Sequence, residues 1–318
     1  MSDIVTIILI IALCLVAFGL FMAVYAPWRI FVNTLYRDDK KERTRTWADA
    51  SCDEHKHMFT KGMAWAAQYK DITVPLHIVN EGLNLFGEYI DFGYDRCAIV
   101  LQGRTESLLY SYYYADIYAE NGYNILVIDT RAHGLSDGKY ITAGIKECDD
   151  LLLWIDHIKT KFNVTSFVIH GICIGAATAV YACCAQKGKG ERLIQSLVLD
   201  GLYTSYYEIF KNHIIERKRP VLYFVYITFF YLYLCTGVNL LKKTPFQCVG
   251  GVDVPVLFIW SEKDPYCFVK ESKELYARCE SKEKEIRFFP HGRHSFVKYH
   301  NLSGYNQAIQ SFLNKANP

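Results

Sequence analysis

The sequence has no excess of charge of either sign: 35 Lys and Arg face 33 Asp and Glu, a formal net charge of +2 over 318 residues. A protein that holds nucleic acid as its main partner gathers basic residues into a patch or stripe, so no nucleic-acid role follows. CxxC pairs are missing as well. The 11 cysteines are an odd number, scattered, with Cys183 and Cys184 adjacent. A zinc site uses paired ligands at short spacing, so no metal is expected. Disulfide frameworks belong to short secreted chains, and most of these thiols read as small buried hydrophobes in a reducing compartment. Neither an internal repeat nor a low-complexity tract is present. With 51% hydrophobic, 15% aromatic and 21% charged residues, the chain is neither disordered nor collagen-like. The mean hydropathy of +0.05 is high for a soluble enzyme, which raises the question of where the apolar residues concentrate.

One concentration is N-terminal. Ile4 to Tyr25 carries no charge, and about 20 such residues span the hydrocarbon core of a bilayer as a helix. Tyr25 and Trp28 stand at its end, where interfacial aromatics belong. Only Met1, Ser2 and Asp3 precede the run. That leaves no basic leader for a cleaved signal peptide, and the run is long for such a peptide's apolar centre. The expectation is a retained, single-pass anchor over residues 1–28. Arg29, Arg37, Lys40, Lys41, Arg43 and Arg45 all follow it, which by the positive-inside rule places the rest of the chain in the cytoplasm. Asn163-Val-Thr165 and Asn301-Leu-Ser303 match the glycosylation pattern, one short enough to arise by chance. Residues 29–75 read as a juxtamembrane connector with some helix.

From residue 76 to 318 short apolar runs alternate with helix-length segments. The runs are His77-Ile78-Val79, Leu83 to Ile90, Cys97 to Leu101, Asn124 to Ile128, Ser166 to His170, Ser196 to Leu199, Val256 to Ile259 and Glu285 to Phe289. Several are continuous and β-branched, as strands buried on both faces are. Ala143 to Phe162 is an example of the helical segments between them. Alternation of this kind predicts an α/β fold with a mostly parallel, doubly wound sheet.

The run Ser166 to His170 leads into Gly171-Ile172-Cys173-Ile174-Gly175. A strand that turns sharply into a helix forces its central residue into a strained conformation. Glycines on either side remove side chains that would collide across the turn. The central Cys173 then stands exposed at a helix N-terminus, whose dipole favours thiolate. The backbone N–H of Ile174 would face a developing oxyanion.

From about residue 77 onward the chain resembles the α/β-hydrolase superfamily, and within it the serine aminopeptidase or monoacylglycerol lipase type of bacterial genomes. Four motifs carry the resemblance, in the family's order. Asp129-Thr130-Arg131-Ala132-His133-Gly134-Leu135-Ser136 is similar to the turn after the fourth strand. Gly171 to Gly175 is similar to the nucleophile elbow, Ser261-Glu262-Lys263-Asp264-Pro265 to the acid loop, and Gly292-Arg293-His294-Ser295 to the histidine loop. The resemblance implies a Cys173–His294–Asp264 triad in which His294 takes the thiol proton and Asp264 holds the imidazole tautomer. It implies no cofactor. Two departures stand out. Cys173 replaces the family's serine, as in dienelactone hydrolase-like members. Gln102-Gly103 replaces His-Gly after the third strand, in the loop whose Arg104 N–H would be the second oxyanion donor.

Other residues remain open at this stage. His291 is a rival for His294. His133 and Arg131 read as turn packing and His170 as a core histidine. The Arg104 side chain could bind a substrate carboxylate or pair with Glu106. Val221 to Leu241 is a second apolar run, but a single crossing there would part Cys173 from Asp264 and His294. It reads instead as lid helices, within a lid of about 203–250, that form an apolar pocket and touch the bilayer. Arg217-Lys218-Arg219 before it would suit lipid head groups. The expected activity is hydrolysis of ester or thioester bonds in a small, apolar acyl substrate by a membrane-anchored enzyme. The alternatives are a peptidase of the same fold, a non-catalytic binding protein, and a redox-sensing thiol at Cys173.

Overall fold

The structure, a computed structural model, describes residues 2–37, 52–188, 190, 192–216, 218 and 222–316. Lys40, Lys41, Arg43, Arg45, Arg217, Arg219 and Val221 lie outside the described residues. Eight strands form one sheet: β1 (Thr73–Asn80), β2 (Leu83–Ile90), β3 (Arg96–Leu101), β4 (Asn124–Ile128), β5 (Ser166–Ile172), β6 (Ile194–Asp200), β7 (Val256–Ser261) and β8 (Lys284–Phe289). Their order is β1-β2-β4-β3-β5-β6-β7-β8. β2 runs antiparallel to both β1 and β4, and every later pairing is parallel. Each strand falls on one of the expected apolar runs. The reason is burial: all residues of β4 and β7 are buried, so these strands cannot alternate polar and apolar residues. The β1–β2 hairpin turns on Glu81 and Gly82, both at positive φ (50° and 77°), the combination that matches the twist of two paired strands.

Helices cover both faces: α1 (Ser2–Thr34), α2 (Asp53–Ala66), α3 (Leu108–Ser111), α4 (Asp116–Glu120), α5 (Glu147–Phe162), α6 (Ile174–Gln186), α7 (Tyr206–Glu216), α8 (Leu222–Thr236), α9 (Pro245–Cys248), α10 (Val269–Arg278), α11 (Val297–His300) and α12 (Leu302–Ala316). α5 starts four residues later than the pattern from Ala143 suggests. Ala143 and Gly144 take positive φ (54° and 94°), and the Glu147 carboxylate turns back to accept from Thr142 N and Gly144 N at 2.8 and 2.9 Å.

α1 is long and apolar enough to cross a membrane, with mean hydropathy 3.2 and none of its apolar window buried. It does not stop at residue 28. It continues through Pro27 to Thr34, and Phe31 and Leu35 are fully buried in the core. Beyond it Ile141 N donates to Leu35 O (2.9 Å) and Arg37 N to Lys139 O (2.7 Å). α2 packs on α3 and the turn after it. The described parts of 29–75 therefore belong to the packed body.

α7, α8 and α9 lie between β6 and β7. α8 rests on the end of α1: Thr228 Oγ1 donates to Pro27 O (3.3 Å), Tyr231 OH to Val24 O (3.1 Å), and the Tyr231 ring meets Trp28 edge to face at 5.4 Å. Val225, Phe229 and Leu232 form its buried side. Tyr223, Tyr226, Phe230, Tyr233 and Leu234 form an exposed stripe at helical spacing.

Candidate active site

β5 ends at Ile172 and α6 begins at Ile174, so Cys173 is the whole turn between them. Its backbone sits at φ 55°, ψ −109°, a conformation that costs a non-glycine residue roughly 1–3 kcal/mol. The surroundings enforce it. A Cβ on Gly171 would overlap the carbonyl of Gly175, and one on Gly175 would lie 2.7 Å from Leu101 Cβ. Cys173 N donates to Asp200 O at 2.9 Å, tying the turn to the end of β6. The Ile174 N–H is the first of α6, and the first N–H groups of a helix have no acceptor within it.

Asp264 follows β7. Its Oδ1 accepts from Tyr266 N (2.8 Å) and Cys267 N (3.0 Å), and its Oδ2 meets His294 Nδ1 at 2.7 Å. A carboxylate only accepts, so Nδ1 carries the hydrogen and Nε2 is not engaged by Asp264. That Nε2 is buried without a hydrogen-bond partner. The two loops are joined where the Ser261 hydroxyl donates to Gly292 O. Gly201 makes room for the imidazole, since a Cβ there would lie 3.0 Å from His294 Cε1. Burial works against a charge on His294. The Asp264 carboxylate, then the Cys173 and Cys267 sulfurs, outweigh it, and the imidazole pKa stands well above its ordinary value.

Cys173, Ile174, Arg104 and His294 line one pocket of about 430 Å³. The carboxylate of Asp264 stands behind His294, and the far wall is Tyr206, Ile209 and Phe210 of α7 with Tyr110. The lid expectation needs a correction here. The pocket wall comes from α7; α8 stands behind α7, where Phe229 packs on Phe210 (5.4 Å), and its inner side is occupied by α7 and α1.

The oxyanion loop after β3 also differs from expectation. Glu106 does not pair with Arg104. Its Oε2 accepts from Gly103 N (3.0 Å) and its Oε1 from His55 Nε2 (3.2 Å), while the Arg104 guanidinium donates to Thr34 O at the end of α1 (3.3 Å). His133 Nε2 donates to Arg104 O (2.8 Å). Gln102, with its amide oriented to suit its neighbours, donates to Ile128 O (2.8 Å) and accepts from Thr130 N (3.1 Å). Arg131 is paired with Asp150 and Glu81. His170 is fully buried, and burial takes its pKa down to about 3, so it is neutral, with Nε2 on the Tyr305 hydroxyl (3.0 Å). His291 is exposed and does not line the pocket.

Sequence reasoning missed three groups. His55 came from a stretch read as connector. Cys267 lies one turn past Asp264; Asp264, Cys267 and His294 place donor atoms within 4.8 Å of one another. A cation held there would have to replace the Asp264–His294 hydrogen bond. Burial, then Asp264, pushes the Cys267 thiol up to about 12. Asp200 is fully buried at the end of β6, with one oxygen on Tyr305 OH (2.8 Å), and burial raises its carboxyl to about 7. Only the Asp264–Cys267 spacing was open to sequence.

No family model matches the chain. YqkD, an uncharacterized protein of Bacillus subtilis, is 28% identical over 221 residues, 69% of this chain and 71% of its own. Protein bem46 of Schizosaccharomyces pombe is 26% identical over 196 residues, 62% of this chain and 59% of its own. Among solved structures, the Pyrococcus furiosus esterase Pf2001 superposes with a TM-score of 0.62 at 23% identity, covering 77% of this chain and 94% of that one. The chain has the α/β-hydrolase fold. Mouse alpha/beta hydrolase domain-containing protein 10 shares this fold with a TM-score of 0.56 at 16% identity, covering 76% of this chain and 99% of that one. In the α/β-hydrolase fold the nucleophile, acid and histidine follow one another along the chain, with the nucleophile on the turn into a helix. Cys173, Asp264 and His294 follow one another along the chain in that order, with Cys173 on the turn into α6.

Proposed function

We propose that the protein hydrolyses carboxylic ester or thioester bonds of a small acyl substrate, with Cys173 as nucleophile, His294 as acid and base, and Asp264 as the residue that orients His294. The observation that carries this reading is the 2.7 Å His294 Nδ1–Asp264 bond in the pocket onto which the strained Cys173 turn opens. His294 takes the Cys173 proton, and the thiolate sulfur bonds to the substrate carbonyl carbon. The Ile174 and Arg104 N–H groups receive the oxyanion. As the tetrahedral centre collapses, the alcohol or thiol leaves with the proton from His294 and a Cys173 thioester remains. Water, deprotonated by His294, attacks that thioester. The carboxylic acid departs and the thiol is restored. No cofactor enters any step.

The aromatic and aliphatic wall from α7 favours an apolar acyl group. Membrane attachment by α1, with the exposed aromatic stripe of α8 in the lipid interface beside it, would bring the pocket to apolar substrates. Six basic residues after the apolar run favour a cytoplasmic catalytic body.

The test uses the full chain in detergent micelles, since Phe31 and Leu35 are core residues. Iodoacetamide is titrated across pH with modification read at Cys173 by mass spectrometry, alongside hydrolysis of short and long acyl p-nitrophenyl esters and thioesters. Cys173 should react faster than the other thiols of the chain, and both this reactivity and hydrolysis should be lost in His294→Ala. A Cys173 no more reactive than the other thiols, with no ester or thioester cleaved, overturns the reading.

A further inference from the structure

The loop 103–106 carries the Arg104 N–H that the proposed reaction uses, and most of its support comes from elsewhere in the chain. Glu106 sits at the centre of this support. It is 5% exposed and lines the pocket, yet its carboxylate points back into its own loop, holding Gly103 N at 3.0 Å. A Cβ on Gly103 would lie 3.2 Å from that carboxylate oxygen, so the glycine lets the hydrogen bond close. A buried carboxylate at this place carries two penalties. An unpaired buried charge is expensive, and a negative charge beside an oxyanion site opposes the charge that develops there. His55, reaching in from α2, answers both. Its Nε2 meets the other carboxylate oxygen at 3.2 Å, and its ring is wedged between Phe296 (4.8 Å between centroids) and Tyr110 (5.6 Å), two rings of the same pocket.

We infer that His55 is a positioning residue for the oxyanion loop: through Glu106 it holds the Gly103–Arg104 backbone so that the Arg104 N–H meets the oxyanion, and it balances the carboxylate next to it. The inference rests on the hydrolase reading above. The titration of Glu106 is consistent with it. Burial alone would raise the carboxyl, but the His55 hydrogen bond and charge, then Gly103 N–H and the charge of His294, bring it below the usual carboxylate range. Glu106 is thus an anion that needs a partner, and His55 is the partner given by geometry. The helix α2, which precedes the sheet, becomes part of the apparatus for transition-state stabilisation.

The experiment separates a step that forms an oxyanion from one that does not. Full-chain His55→Phe, which keeps the ring packing and removes the donor, is compared with His55→Gln, which keeps a donor. Each is assayed for kcat and KM on an acyl p-nitrophenyl ester and for the rate of Cys173 alkylation by iodoacetamide. Alkylation has no oxyanion. His55→Phe should lower kcat about tenfold, less than the hundredfold or more for outright loss of an oxyanion donor. KM and alkylation should stay within about twofold, and His55→Gln should recover most of kcat. A Glu106→Gln background should remove the effect of His55→Phe, because the two act as one unit. That coupling can be read even if one single variant is poorly stable. Unchanged kcat in His55→Phe, or equal losses in kcat and alkylation, overturns the inference while leaving the hydrolase reading standing. A wild-type Cys173 that is inert to iodoacetamide and an enzyme that cleaves no ester remove the hydrolase reading itself.

Discussion

The elbow around Cys173 and the loop around Arg104 face the same pocket and are built in opposite ways. The elbow is made by close backbone packing, its two glycines against each other and Leu101, with Cys173 N tied to Asp200 O. Gly171 and Gly175 approach each other and Leu101 so closely that no side chain fits, and the backbone at Cys173 has one way to pass. The loop is made by distant residues: Thr34 holds the Arg104 guanidinium, His133 holds the Arg104 carbonyl and His55 holds Glu106. A steric device of this kind is broken by adding an atom where two backbones meet. A loop suspended by hydrogen bonds can be loosened from three separate places without touching its own sequence.

Two glycine variants test this contrast most severely. Gly175→Ala should cost about 3 kcal/mol, because the Leu101 backbone and Cβ have nowhere to move, with the loss read as a fall in the chemical-denaturation midpoint of the full chain. Gly103→Ala meets only the end of the Glu106 side chain. It should cost less than about 1 kcal/mol and show itself in kcat. Equal stability losses at the two positions would erase the distinction.

The elbow side also has its own pH signature. In a cysteine hydrolase the leaving group takes its proton from the imidazolium, and the His294 pKa is raised. The reactive pair therefore persists through neutral pH and is lost as pH rises through the His294 value. kcat/KM, which reports acylation, should be flat across neutrality and fall about tenfold per pH unit on the alkaline side. Stability should follow the same sign: the His294–Asp264 contribution is complete below the unfolded imidazole value of about 6.5 and disappears as pH climbs through the folded one. A single descending limb beginning at 6.5 or below would contradict the ion-pair arrangement.

The smallest effect lies beneath the elbow. Asp200 has its carboxyl raised to about 7 by burial, so its stability term is complete below the unfolded value of about 3.9 and declines as pH rises to 7. Asp200→Asn keeps an acceptor for Tyr305 and removes the titration. The difference in melting temperature between pH 5 and pH 8 should shrink by a few degrees. No change would mean that Asp200 is ionised in the fold at little cost.

Much of this molecule is legible from its residues. Continuous apolar runs mark β3, β4 and β7 because strands buried on both faces leave no room for alternation. The elbow is legible because its rule is local and steric. What escaped is non-local. His55 and Glu106 are 51 residues apart, and Arg104 and Thr34 are 70 apart. Arg104 and Glu106, two apart, invited a pairing that the backbone directs elsewhere. The late start of α5 escaped because Ala143 adopts a positive φ that an alanine does not advertise. The position of α8 escaped because a helix apolar on every side does not say which side its neighbours will take.

The passage of α1 into the core, through Phe31 and on to Leu35 just beyond it, would set the height of the pocket if α1 anchors the protein as proposed. Thr34 lies nine residues beyond Tyr25 and lines the pocket, a rise of about 14 Å along a helix. With residues 4–25 in a bilayer, as proposed, the packing of Phe31 and Leu35 would hold the pocket close to the surface, with Pro27 as the one interruption of the helix hydrogen bonding in between. The pocket would sample only bonds at its own level. Molecules lying in the leaflet would then be sorted by how high each carries its carbonyl, before shape or chain length is consulted.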